Sequence, residues 1–154
     1  MPRRLGASVI LGAALALSGS TAVSAAPPVY DSGVVTLYPG WVLDLDDGDL
    51  LPLPELGDVA YGQIGDALYL VTADYLTHLG APILKMGTGR PRYARCRDAA
   101  VASRFYKARR LPIGTWLCAR TDEGRVSRFK IKDKLPLEPY GKALVISYGT
   151  WTIP

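Results

Sequence analysis

Acidic residues are concentrated near the start of the chain, in the run from Asp44 to Asp49 (DLDDGD). Calcium binds several carboxylate oxygens around a tight turn, so this run is a candidate metal site. Gly48 takes the fifth position, where the calcium loop of a helix-loop-helix protein carries a ligand. The favoured interpretation is an acidic hairpin end without a metal or cofactor. The candidate ligands are Asp44, Asp46, Asp47 and Asp49.

Asp44 and Asp46 have a second interpretation, because Trp41 to Asp46 alternates between apolar and polar residues. This alternation predicts a half-exposed strand with both carboxylates on one face, about 5 to 7 Å apart, as in sugar-hydrolysing pairs. One alternative function is therefore a calcium-dependent carbohydrate binder or a small hydrolase. The only histidine, His78, lies outside any Gly-x-Ser-x-Gly motif, which favours a structural role. We therefore expect that the protein has no catalytic residue and is not an enzyme.

A basic stretch between Arg90 and Arg110, interleaved with Tyr93, Phe105 and Tyr106, is the main binding candidate. Such a patch could meet an anionic polymer such as a wall teichoic acid or a nucleic acid. The candidate residues are Arg90, Arg92, Arg95, Arg97, Arg104, Lys107, Arg109 and Arg110.

The charges divide sharply along the chain. Between Ala26 and Leu84 there are nine acidic residues and no Lys or Arg, whereas Lys85 to Pro154 contains sixteen basic and five acidic residues. One interpretation is that the halves neutralise each other through intramolecular ion pairs. The other is that the basic residues bind an anionic partner.

The first residues have the pattern of a secretory signal. Met1 to Arg4 is basic, Val9 to Leu17 is apolar but too short to span a bilayer, and small residues at Val23 to Ala25 fit a cleavage site. We therefore expect a signal peptide at 1–25, a secreted protein, and one domain at 26–154 without a membrane span.

The chain has two cysteines, Cys96 and Cys118. In an exported protein they are expected to form a disulfide, which contributes about 3 kcal/mol in the chain-entropy model. Free thiols or a metal pair are disfavoured because the chain lacks a Cys-x-x-Cys motif.

The strongest structural signal is a β-hairpin, with strands at Ile113 to Thr121 and Arg125 to Lys132 around Asp122-Glu123-Gly124. Other short strand candidates alternate with Pro and Gly, and Arg92 to Ala102 is the only good helix candidate. The sequence predicts a mainly β fold: a small β-sandwich or open barrel with one short helix and one disulfide.

Several segments together resemble an uncharacterised extracytoplasmic domain of actinobacteria. They are Leu43 to Asp46, Cys96 after a Tyr, Leu117 to Arg125 and Tyr148 to Trp151. That domain occurs alone after a signal peptide or on the outer side of membrane-bound serine/threonine kinases. The resemblance implies a small β domain with Cys96 paired to Cys118, and it implies no activity or ligand.

Together these features predict a secreted, non-enzymatic β domain that binds a cell-surface or cell-wall component. The partner is unknown, with an anionic cell-wall polymer or a surface protein as the candidates. A further alternative is an extracellular enzyme inhibitor that presents a loop from Leu50 to Asp58, which two prolines and a glycine predict to be irregular.

Overall fold

The computed structural model describes residues 25–53, 57–64, 67–72, 83–99, 105–139 and 141–153. The predicted signal peptide, apart from its last residue, lies outside these ranges, as do His78 and Arg104. Within them, no helix has the length and apolar character needed to cross a membrane.

The described residues contain ten strands, which form two antiparallel sheets. The first sheet has the order β1-β10-β9-β8-β6, and the second has the order β3-β2-β4-β5-β7. The strands are β1 (Val29–Leu37), β2 (Trp41–Leu43), β3 (Leu50–Pro52), β4 (Val59–Ile64), β5 (Ala67–Thr72), β6 (Leu84–Gly87), β7 (Phe105–Lys107), β8 (Trp116–Arg120), β9 (Val126–Leu137) and β10 (Gly141–Trp151). A short helix, α1 (Tyr93–Arg97), precedes β7, and a 3-10 helix (Ala108–Arg110) follows it.

The main hydrophobic core lies between the two sheets. It contains Phe129 and Ile146 from the first sheet and Tyr61 and Leu70 from the second, all at most 1% exposed. Burial of both inner faces in one core is the arrangement of a β-sandwich. The predicted mainly β class is therefore confirmed, and the described strands form no closed barrel.

The predicted hairpin is confirmed as β8 and β9. Gly124 takes a positive φ of 84° in the turn, which favours glycine. Phe129 and Ile131 are fully buried, whereas Lys130 on the opposite face is only half-buried. The alternation of the sequence thus corresponds to an inner and an outer face of the first sheet.

Two predictions for the acidic half are wrong. The strand predicted at Trp41 to Asp46 ends at Leu43, because the Asp44 side chain accepts the N–H of Asp46 at 2.8 Å and closes a turn. The stretch predicted as a loop from Leu50 to Asp58 begins with strand β3, which pairs with β2.

A β-bulge interrupts the pairing of β9 with β10. Ile131 pairs with Ile146 and Asp133 pairs with Val145, so Lys132 is an extra residue on β9. A one-residue insertion reverses the faces of all residues that follow it. Lys134 is consequently directed to the inner face, opposite the buried Leu144.

Helix α1 packs on the outer face of the first sheet through the predicted disulfide, which is present. Cys96 on the helix is bonded to Cys118 on β8, with their Cα atoms 5.3 Å apart. The Tyr93 ring makes an edge-to-face contact with Trp151, 5.4 Å between centroids. The predicted helix from Arg92 to Ala102 is thus shorter in the structure, and its last residues lie outside the described ranges.

Candidate functional site

Three carboxylates meet near the ends of strands β2 and β4. One oxygen each from Asp44, Asp46 and Asp58 lies within 4.8 Å of the others. Asp47 and Asp49, which the sequence also offered as ligands, are exposed and outside this group. Sequence reasoning missed Asp58, because nothing local marks an acid that the β-sheet pairing brings to a turn fourteen residues earlier.

Asp58 connects the two halves of the sandwich. One carboxylate oxygen accepts the N–H of Leu45 at 2.7 Å, and the other accepts the N–H of Asp122 in the β8–β9 turn at 2.8 Å. The residue is only 3% exposed. Because one turn of each sheet donates a backbone N–H to the same side chain, Asp58 ties the β2–β3 turn to the β8–β9 hairpin.

Asp46 forms the second connection. Its Oδ1 lies 3.2 Å from the Arg125 guanidinium, an ion pair without hydrogen-bond geometry, and neither of its buried oxygens accepts a well-formed hydrogen bond. Arg125 also pairs with Glu123 and lies over the Tyr30 ring, 4.0 Å from its centroid. The cluster therefore already has a cation from its own chain, and we assign it a structural role between the sheets.

Burial changes the acidity of this cluster. It raises the pKa of Asp58 from 3.8 to about 7, against the opposing effect of the two backbone hydrogen bonds. Burial also raises the pKa of Asp44 and of Asp46, although Thr121 and Arg125 favour the ionised form of Asp46. A carboxyl group of this kind binds a proton more tightly in the folded protein than in the unfolded chain.

We therefore expect stability to fall as the pH rises. Asp58 binds more protons when folded, so the free energy of unfolding should decrease between about pH 4 and pH 7, by at most about 1.4 kcal/mol per pH unit for this group. Urea unfolding at several pH values measures the effect. Asp58→Asn should flatten the profile, and an undiminished slope in that variant would assign the effect to other groups.

Ion pairs between the described residues neutralise few of the charges in the acidic and basic halves of the chain. Among the described residues there are three ion-paired contacts, and only Arg125 with Asp46 joins the acidic half to the basic half. The other two lie within the basic half. The basic side chains are therefore mostly without an acidic neighbour in the described part of the chain.

A cleft of about 670 Å³ opens between the two sheets. Tyr61 on β4, Leu68 on β5 and Leu144 on β10 contribute apolar surface, and no acidic residue lines the cleft in the described ranges. Four basic residues line it, although the Lys107 ammonium itself lies over the Tyr69 ring on the other face of β5, 5.6 Å from its centroid; we call this site the basic cleft. The four residues are Lys107, Arg109, Lys134 and Lys142.

Contacts with the backbone hold the walls of the basic cleft in place. Lys134 Nζ donates to the carbonyl of Ala108 at 2.7 Å, and Tyr61 donates its hydroxyl to the carbonyl of Lys142 at 2.7 Å. Burial, and then the positive charge of Lys142, lowers the pKa of Lys134. An anion in the cleft would relieve this repulsion between like charges.

A second group of cations surrounds Trp116 on the outer face of the first sheet. The charged groups of Arg90, Arg128 and Lys130 lie 5.9, 5.9 and 5.5 Å from the centroid of its ring. Arg128 also lies 4.6 Å from the Trp151 ring centroid and donates to the carbonyl of Pro91 at 2.9 Å. We call Trp116 with these three cations the tryptophan cluster.

The structure divides the basic stretch of the sequence. Arg90 belongs to the tryptophan cluster, whereas Lys107 and Arg109 line the basic cleft. Arg97 is paired with Asp98 at 2.6 Å. The exposed residues Arg92, Arg95 and Arg110 belong to neither group.

Four functional candidates lie outside that predicted stretch: Arg128, Lys130, Lys134 and Lys142. The alternation of β9 placed Arg128 and Lys130 on one face but did not predict that Trp116 lies beside them.

Comparison of the chain with protein-family models, curated proteins and solved structures finds no match.

Proposed function

We propose that this protein is an exported, non-enzymatic binding domain whose basic cleft takes an anionic component of the cell surface that also has an apolar part. The observation that carries the proposal is that Arg109, Lys134 and Lys142 line one cleft without a described acidic residue in its lining. The size of the cleft supports it, because pockets for small ligands commonly have volumes of about 300 to 1,000 Å³.

The lining favours an amphiphilic anion over a simple ion. Leu68, Leu144 and Ala108 offer apolar contacts, while Lys134 and Lys142 contribute positive charge from the neighbouring strands β9 and β10. An anionic head group can accept hydrogen bonds from these ammonium groups, and an acyl chain can cover the apolar residues. This combination matches a lipid-linked or acylated anion better than a wholly polar one.

The contacts of the candidate acids support binding over hydrolysis. Both oxygens of Asp58 accept backbone N–H groups, and Asp46 is buried against Arg125. Asp44 accepts the N–H of Asp46 through one oxygen. Both cysteines form the disulfide. These side chains hold the fold, so we assign the ligand to the cleft and not to the carboxylates.

Calorimetry with a matched pair of ligands tests the proposal. Dodecyl phosphate and dodecyl phosphocholine, each below its micelle concentration, share a chain but differ in net charge. We expect the protein to prefer dodecyl phosphate by about tenfold or more, or about 1.4 kcal/mol, because both head groups contain a phosphate but the choline cation cancels the net charge of the second ligand and is repelled by the cations of the cleft.

Variants locate the binding site. The double substitution Arg109→Ala with Lys142→Ala should abolish the preference for dodecyl phosphate, whereas Arg92→Ala with Arg95→Ala should retain it. Both double variants lose two positive charges, and Arg92 and Arg95 are exposed outside the cleft. Equal affinity for the two ligands in the unaltered protein would contradict the proposal.

A further inference from the structure

The tryptophan cluster brings three positive charges together, and no described acidic side chain pairs with them. Arg90, Arg128 and Lys130 each lie within 6 Å of the same ring centroid, and none of them belongs to an ion pair among the described residues. Contact with an aromatic ring stabilises each cation by only about 0.5 to 1 kcal/mol at an exposed site. The close approach of like charges opposes that gain.

Strand geometry spaces these charges regularly. Lys130 pairs with Trp116 across the β8–β9 ladder, and Arg128 pairs with Cys118. Arg128 and Lys130 are two residues apart on the same face, so their side chains leave the sheet about 6 to 7 Å apart. A linear chain of evenly spaced single negative charges can meet both of them and Arg90 together.

The cluster is also held in position before any ligand binds. Arg128 is fixed by the Pro91 carbonyl and by the Trp151 ring, and Trp151 is packed against Tyr93 of the disulfide-bonded helix. Side chains that are already ordered lose little further conformational entropy on binding. The disulfide and helix α1 thus support one edge of the cluster.

We propose that the tryptophan cluster is a second binding site, which takes the phosphodiester backbone of a polyol phosphate polymer. Arg guanidinium groups suit phosphate because they can donate two hydrogen bonds to it. The Trp116 ring is half-buried and has cations about it, which leaves it poorly placed to stack on a nucleobase. The site therefore binds the phosphate backbone of the polymer and not a base. It differs from the basic cleft in its position and in its ligand.

Binding of poly(glycerol phosphate) at several salt concentrations tests this site. For flexible single chains, each neutralised phosphate contributes about 0.7 to the slope of log affinity against log salt. Arg90→Ala with Lys130→Ala should therefore lower the slope by about 1.4 and weaken binding at low salt by about tenfold or more. Arg128 is left intact because it also packs on Trp151.

Two matched variants separate this site from the alternatives. Arg92→Ala with Arg95→Ala removes the same charge from the exposed surface, and Arg109→Ala with Lys142→Ala removes it from the cleft. Both variants should bind the polymer almost as the unaltered protein does. Equal weakening by all three would show that only net charge matters. Selective weakening by the cleft variant would place the polymer in the cleft, and either result overturns the proposal.

Two further measurements decide the ligand class and the position. Single-stranded DNA of equal charge should bind more weakly than poly(glycerol phosphate), and tighter binding of DNA would overturn the choice of polymer. In a titration followed by nuclear magnetic resonance, the indole N–H signal that Trp116→Phe removes should shift on addition of the polymer. An unmoved signal would exclude the tryptophan cluster as the site.

Discussion

Replacing Asp58 with alanine should lower the free energy of unfolding by about 3 kcal/mol. The side chain accepts the N–H groups of Leu45 and Asp122, one from each part of the sandwich. Its removal leaves both donors without their partner, at about 1 to 3 kcal/mol for the buried Leu45 N–H and at the lower end of that range for the Asp122 N–H, which is only partly buried. Urea unfolding should be measured near pH 5, because burial raises the pKa of Asp58 to about 7 and the carboxyl group is then mostly protonated. The loss then reflects hydrogen bonds and not relief of a buried charge.

Asp47→Ala and Asp49→Ala are the matched controls for this experiment. Both side chains are exposed and belong to the acidic run from Asp44 to Asp49, next to which Asp58 lies in the fold, so each substitution should change the free energy of unfolding by less than about 0.5 kcal/mol. Equal effects at Asp47 and Asp58 would mean that the acidic residues of this region act through their total charge. Our assignment of Asp58 as the connection between the two sheets would then be wrong.

Reduction of the Cys96–Cys118 disulfide should have an effect of similar size. The bond closes a loop with a sequence separation of 22, which corresponds to about 3 kcal/mol in the chain-entropy model. Helix α1 has five residues and is too short to be stable in isolation. Reduction should therefore also loosen the helix from β8, and with it the support that Tyr93 gives to Trp151.

Urea unfolding with and without dithiothreitol measures the loss in stability, and hydrogen exchange of the Cys96 and Asp98 amides measures the loosening. Both amides donate within the helical turn, to the carbonyls of Arg92 and Ala94. Cys96→Ala with Cys118→Ala should reproduce the effect of reduction without adding reductant. An unchanged unfolding midpoint after verified reduction would refute this account of the disulfide.

The sequence predicted the local features of the fold well. The alternation around Phe129 and the turn at Gly124 predicted the β8–β9 hairpin, and hairpin formation depends on neighbours in the chain. The prediction from the sequence was wrong at Asp44 to Asp46, where the alternation of apolar and polar residues continues but a side-chain hydrogen bond ends the strand. An alternating pattern indicates which residues are buried, but it does not show that they lie in a strand. A turn can bury the same residues, as the β2–β3 turn buries Leu45.

The candidate sites could be predicted only in part. Arg90, Lys107 and Arg109 were in the predicted basic stretch, but the structure places Arg90 beside Trp116 and the other two in the basic cleft. Lys134 could not have been assigned to the cleft, because the bulge at Lys132 reverses the alternation that precedes it. A bulge has no reliable signature in a single sequence, since it depends on how the partner strand pairs.

By itself the sequence determined the mainly β class, the central hairpin and the pairing of Cys96 with Cys118, because these follow from residue pattern and from the number of cysteines. Only the tertiary structure decided which charges meet. The antiparallel pairing of β2 with β4 brings Asp58 to the acidic turn, and the pairing of β8 with β9 brings Lys130 to Trp116. Charges act over a few ångströms in space, and strand pairing makes neighbours of residues that are far apart in the chain.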